Sequence, residues 1–212
     1  ADTYAEEGDY KRALTYYQNN LHILHEHVAS NHTHIALTHN NMGKTFQKMG
    51  QGETALIHYN QALNIFRELK EEHLLGMTYN NIGNYFWEQE DFNLAIPIYK
   101  QSLAIFKQLY GANHIDNASI YYNLGNCLAK EKKYTEAHIH YEMAIELTQK
   151  IYTPNHPLLA KYKTSHGIIH QKQGHYQAAL IQFEEALAIL KVNLQDRQAT
   201  NFIESPIPLI DL

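Results

Sequence analysis

The chain is poor in residues that break helices or cross-link strands of backbone: it has 1 Cys, 5 Pro and 10 Gly in 212 residues. A lone cysteine, Cys127, excludes an internal disulfide framework and a cysteine-built zinc site. It fits a reducing compartment, so a cytoplasmic location is expected. No apolar run approaches the roughly 18 residues of a membrane span, and no membrane partner is expected. A cationic excess is missing too. Lys and Arg number 17 against 22 Asp and Glu, a formal charge of −5, which argues against sequence-independent nucleic-acid binding. There is no phosphate-cradling loop, nucleotide-binding Gly triplet or nucleophile elbow, so neither enzymatic activity nor a cofactor is expected. The opening residues, Ala1 to Glu7, do not read as a signal peptide, and without an initiator Met the chain reads as a fragment or processed form.

What is abundant is apolar (44%) and, unusually, amide and imidazole: 18 Asn, 15 His and 16 Tyr. The apolar share excludes a disordered chain. Few breakers over such a length indicate helix, and a repeat organises it. Gly43, Gly83, Gly125 and Gly167 are spaced by 40, 42 and 42 residues. Ala13, Ala55, Ala95, Ala137 and Ala179 keep the same step, and four residues after each stands Tyr17, Tyr59, Tyr99, Tyr141 or Phe183. Small residues follow at Ala62, Ser102, Ala144 and Ala186, with Asn20 the exception. Aromatics precede at Tyr10, Phe92, Tyr134 and Tyr176, with Gly52 the exception. The spacings of four, three and four put these anchors on one helical stripe, so each repeat reads as two helices around a Gly-bearing turn. In the first full repeat they are expected at about 35–48 and 53–69. Ala95 and Ala137 are expected to be buried where helices meet.

These anchors resemble the tetratricopeptide repeat over about residues 1–195. The longer period, with Asn31-His32, Asn113-His114 and Asn155-His156 ahead of the first helices, is similar to the 42-residue repeats of kinesin light chains. The Asn-Leu-Gly-Asn stretch at 123–126 is equally similar to Pins-type adaptors. The resemblance implies an all-α, right-handed superhelical solenoid of antiparallel helix pairs. The repeats would divide as a partial one at 1–34, full ones at 35–75, 76–117, 118–159 and 160–199, and an extended tail at 200–212. It implies a protein–protein interaction scaffold, with first helices lining a concave groove. The alternatives are a regulatory or spacer arm of a larger enzyme, and a His-based metal-binding role.

Counting along each first helix by the 3.6-residue period gives the groove-facing side. Its candidate peptide-binding residues are Asn40, Asn41, Lys44 and Lys48, then Asn80, Asn81, Asn84 and Trp87. Further along come Tyr122, Asn123, Asn126 and Lys130, then Lys161 and Lys172. Asparagine is a poor helix former, so seven of them on one side of four helices are more than filler. Amides can hydrogen-bond a peptide backbone, and the lysines favour an acidic or amide-rich partner. Replacing Asn80, Asn84, Asn123 and Asn126 by Ala is expected to leave the fold intact or slightly stabilised, given the helix propensity of Ala, and to weaken peptide binding. A carboxylate clamp of the kind found in another tetratricopeptide subclass is matched by Asn84, Asn123 and Lys161, but Asn80 and Ser165 stand where it wants cations.

His166 and His170 are i,i+4, a spacing that can share a metal, while His22, His25 and His27 cluster, as do His138 and His140. Without cysteine or a metalloprotease motif the expected reading is packed histidine, with no metal. The tail, broken by Pro206 and Pro208, is expected to be extended and to cap the last helix pair or occupy the groove of the same or a neighbouring molecule, a route to self-association.

Overall fold

The computed structural model describes the backbone of residues 1–27 and 32–204, and the side chains of residues 1–24 and 32–195. Among them are ten helices and no strand: α1 (Asp2–Glu6), α2 (Tyr10–His27), α3 (His32–Lys48), α4 (Gly52–Leu69), α5 (Glu72–Glu88), α6 (Phe92–Tyr110), α7 (Ile115–Lys130), α8 (Tyr134–Ile151), α9 (Pro157–Lys172) and α10 (Tyr176–Glu204). The chain divides into two compact units, Ala1–His114 and Ile115–Leu212. In the first, each helix packs on the next from α1 to α6, and α3 also touches α5. In the second, α7 to α10 do the same, and α7 touches α9.

The repeat glycine explains why each hairpin closes. A methyl group added at Gly43 would lie 2.7 Å from the ring of Tyr59, at Gly83 2.6 Å from Tyr99, at Gly125 2.9 Å from Tyr141 and at Gly167 2.7 Å from Phe183. The ring of the second helix therefore lies flat on the backbone of the first, and only glycine allows that approach. Ala95 and Ala137 are fully buried, as expected. The two exceptions have physical reasons. Gly52 lies under the ring of Tyr85, whose Cε2 would be 2.5 Å from an added methyl, so an aromatic has no room there. Asn20 donates from Nδ2 to Thr38 Oγ1 at 2.9 Å, a bond the small residues of the other repeats do not make.

The turns within hairpins share one left-handed residue: Gly8 (φ 84°), Gly50 (φ 74°), Glu90 (φ 57°), Lys132 (φ 63°) and Gly174 (φ 79°). First helices start three or four residues before the expected repeat boundaries. Pro157 opens α9, and His156 caps it by accepting from the Leu158 N–H at 3.3 Å. The expected extended tail does not begin at Thr200. α10 continues through Glu204, because the helix-breaking prolines come only at 206 and 208. Residues 205–212, and with them the cap or groove-occupant reading, lie outside the described residues.

Candidate functional site

The repeat tyrosines bury their rings but must still place a hydroxyl. Tyr99 donates to Asn84 Oδ1 at 2.7 Å and Tyr141 to Asn126 Oδ1 at 2.7 Å. Both acceptors are the residue after the repeat glycine. In the first full repeat that position is Lys44, and Tyr59 turns instead to Gln47 Oε1 at 2.8 Å. Tyr17 donates to Asp2, the matching position of the partial repeat. In the last repeat Phe183 lacks a hydroxyl and Ile168 lacks an acceptor, so both halves of the bond are gone together. Burial pushes the Tyr59 and Tyr141 phenols well above the usual range, so each hydroxyl stays protonated and donates. The expectation that Asn84 and Asn126 could become Ala without cost to the fold is therefore corrected. Each satisfies a buried hydroxyl that water does not reach.

In the first unit the expected side of α3 and α5 is contiguous. Asn81 donates to Asn40 Oδ1 at 3.1 Å, and Gln47 donates to Glu88 Oε2 at 2.7 Å. Asn40 is buried, Asn41, Asn80, Asn81, Asn84 and Trp87 are half-buried, and Lys44 and Lys48 are exposed. The Trp87 indole Nε1 is buried without a hydrogen-bond partner. Asn41, Lys44 and Lys48 line a cavity of about 230 Å3 together with Asp2, Glu6 and Tyr17. Asn41 donates to Asp2 Oδ1 at 3.1 Å. Two carboxylates of α1 thus share that cavity with the two lysines.

The second unit differs in charge. Tyr122 is half-buried and stacks on Tyr162, with ring centres 4.6 Å apart, and its hydroxyl lies 3.2 Å from Ser165 Oγ. Lys161 Nζ sits 4.6 Å from the centre of the Tyr122 ring. Asn123 and Asn126 are half-buried beside it in sequence, and Lys130, Lys161 and Lys172 are exposed. None of the six candidate residues on α7 and α9 is acidic.

Histidines form a second constellation in this unit. His138 of α8 meets His166 and His170 of α9, with ring centres 4.9, 4.4 and 4.6 Å apart. The sequence grouping of His138 with His140 does not hold in space, since His140 stacks on Tyr121. Burial, with His170, His138 and Lys163 adding to it, lowers His166 to about 4 and keeps it neutral near pH 7. Side chains of His25 and His27 lie outside the described residues. Cys127 is buried, and burial pushes its thiol up to about 12, so it is an inert packing group.

Helix pairs repeated every 40 to 42 residues, each closed by a ring on a glycine, define an α-helical repeat protein. The family model for the tetratricopeptide repeat matches residues 1–68, 34–108, 74–150 and 116–191, and the chain belongs to that family. Solved structures agree in fold. BtubC (BKLC) from P. vanneervenii is similar at 22% identity and TM-score 0.79, over 100% of this chain and 82% of that one. The apo form of RapI is similar at 22% identity and TM-score 0.78, over 94% of this chain and 71% of that one. A putative kinesin light chain from Podosopora anserina with nearly identical TPR-like repeats gives 16% and 0.71, over 91% and 92%. No curated protein matches. The fold is thus an all-α tetratricopeptide solenoid, a fold that serves protein–protein interaction. No helix of the described residues is long and apolar enough to cross a membrane.

Proposed function

We propose that this chain is an interaction scaffold that binds an extended peptide segment of a partner protein along its first helices. Amides contact the peptide backbone, and lysines select acidic side chains. The observation that carries the reading is on α7 and α9. Lys161 lies over Tyr122, with Lys130 and Lys172 exposed on the same two helices and no carboxylate among the expected positions there. The buried tyrosine beneath Asn126 supports it further. By donating to Oδ1 it fixes which end of the amide is the acceptor, so the NH2 end is a pre-oriented donor of the kind an extended backbone can use.

The reading places the acid-selecting contacts on the second unit, because Asp2 and Glu6 line the same cavity as Lys44 and Lys48 in the first. The test is fluorescence anisotropy with acidic, amide-rich and basic peptide pools of equal length, on wild type and on the Lys130→Gln, Lys161→Gln, Lys172→Gln triple variant. The acidic pool should bind best, and the triple variant should weaken it about tenfold. Raising salt should do the same as the Debye length falls from about 10 Å at 0.1 M to about 3 Å at 1 M. Equal binding of acidic and basic pools, or an unchanged triple variant, overturns the assignment.

A further inference from the structure

One helix interface in this protein is built from histidine where its sister interfaces are built from hydrocarbon. Three columns of the repeat meet where a second helix packs on the next first helix: the residue after the repeat alanine, the residue before the repeat glycine, and the residue three after it. Between α2 and α3 these are Leu14, Met42 and Phe46, in one apolar cluster. Between α4 and α5 they are Leu56, Ile82 and Phe86, again in one cluster. Between α8 and α9 they are His138, His166 and His170. All three columns changed together, and to the same residue.

The geometry points the three rings at one place. One nitrogen from each lies within 4.8 Å of the other two. His138 Nδ1 is 2.8 Å from His166 Nε2. His138 Nε2–H donates to Gln173 Oε1 at 2.5 Å, which leaves the Nδ1 lone pair directed into the cluster. A carbonyl oxygen behind a ring N–H is the support that metal-ligating histidines commonly have. His166 Nδ1 and His170 Nδ1 are buried with no hydrogen-bond partner. Three imidazoles brought together where Leu, Ile and Phe serve elsewhere, one nitrogen of each within 4.8 Å of the other two, are a donor set for an ion that accepts lone pairs.

We propose that His138, His166 and His170 bind one Zn2+ that staples α8 to α9. Three neutral imidazoles with no thiolate or carboxylate suit a borderline divalent ion rather than Ca2+ or Mg2+. Nitrogens at 2.0–2.1 Å around a tetrahedral Zn2+ are roughly 3.3 Å apart, so the rings need shift by only about half an ångström to an ångström and a half. Water takes the fourth position. Lys163 is the nearby cation, and its ammonium is held 2.6 Å from Glu185 Oε2, which offsets its charge. The proposal replaces the expectation of merely packed histidines, and it uses none of the proposed peptide-contacting residues.

The test uses the full chain without an affinity tag, stripped with a chelator that is then removed. Titration with Zn2+ should show one equivalent bound per chain and a rise in melting temperature. Co2+ should give the visible absorption of a four-coordinate nitrogen site. His138→Gln and His170→Gln, both at half-buried positions, should lower Zn2+ affinity at least about a hundredfold with an unchanged metal-free helical spectrum. Gln173→Ala should lower it about ten- to a hundredfold through loss of the ring support. Should either histidine variant fail to fold, the Gln173→Ala affinity and the wild-type Co2+ spectrum decide. Absence of stoichiometric binding by wild type, or equal affinity in the variants, overturns the proposal, the latter because the ion then sits on surface histidines.

Discussion

The Tyr99 hydroxyl donates to Asn84 Oδ1 at 2.7 Å across the α5–α6 hairpin, and this one bond joins the core to the side of α5 expected to meet a partner. Tyr99 is 1% exposed, so removing Asn84 takes an acceptor from a hydroxyl that water reaches poorly. Asn84→Ala should cost about 1–3 kcal/mol, the range for loss of one partner of a buried hydrogen bond. Tyr99→Phe in the same chain should recover most of it, since the last repeat already pairs Phe183 with Ile168. Urea unfolding of the two single variants and the double variant measures the coupling. Additive effects would sink the account.

The left-handed turn offers a stability gain. Lys132 holds φ 63° where three sister repeats have glycine, at Gly8, Gly50 and Gly174. A side chain in that region is strained by its Cβ, so Lys132→Gly should stabilise by about 0.5–1 kcal/mol. Gly50→Ala is the converse. Nothing lies within 4 Å of the added methyl, so its cost of about 1 kcal/mol is backbone strain alone. Denaturant midpoints moving the wrong way in either variant would refute the argument.

The hairpins were legible because their signals are local. Gly, Ala and aromatic anchors recur at helical spacings inside one repeat, and that periodicity alone specifies which residues stack. The Asn84–Tyr99 bond was not, because its partners sit on different helices and polar residues on a helix side look alike whether they face solvent or a buried hydroxyl. The joint loss of Tyr and Asn at Phe183 and Ile168 was the available clue. The grouping of His138 with His140 fails for a related reason: nearness in sequence does not set which residues meet, whereas the repeat column does, and there Leu14, Leu56, Ile96 and Leu180 make His138 the outlier. The two carboxylates of α1 are not legible in the first-helix pattern because they belong to the partial repeat, whose short α1 carries no repeat glycine.

Stability should fall on acidification through His58. Its ring meets His39, with Nδ1 atoms 3.0 Å apart, stacks on Phe46 at 5.2 Å, and has Gln61 as a further hydrogen-bond neighbour. Burial holds its pKa below the ordinary histidine value of 6.5, the Gln61 bond opposing this more weakly. The sign follows from proton counting. Below pH 6.5 the unfolded chain takes up a proton that the folded chain resists, so the stability His58 contributes is complete above 6.5 and drains away as pH falls beneath it. Urea midpoints followed from neutral pH downward should decline less steeply in His58→Gln than in wild type. Parallel curves would rule out His58 as a contributor.

Lys163 occupies the column held by His39, Tyr79 and Tyr121 in the other repeats, and it is only 8% exposed. Its ammonium lies 2.6 Å from Glu185 Oε2, while the Glu185 side chain remains 49% exposed. Such a pair is worth little in itself, because desolvating the lysine offsets most of the attraction. Removing only the carboxylate is another matter, since it leaves a cation with neither partner nor full hydration. Glu185→Ala should therefore cost about 1–2 kcal/mol, between the values for exposed and buried pairs because Glu185 is half in water. Lys163→Met should be within about 1 kcal/mol of wild type, its side chain lining the same cavity as Leu159, Ala188 and Ile189. In the Lys163→Met background Glu185→Ala should then cost almost nothing. Thermal and urea unfolding of the three variants measures this. A larger loss from Lys163→Met than from Glu185→Ala would mean that the pair itself, and not the avoidance of a stranded charge, holds α9 to α10.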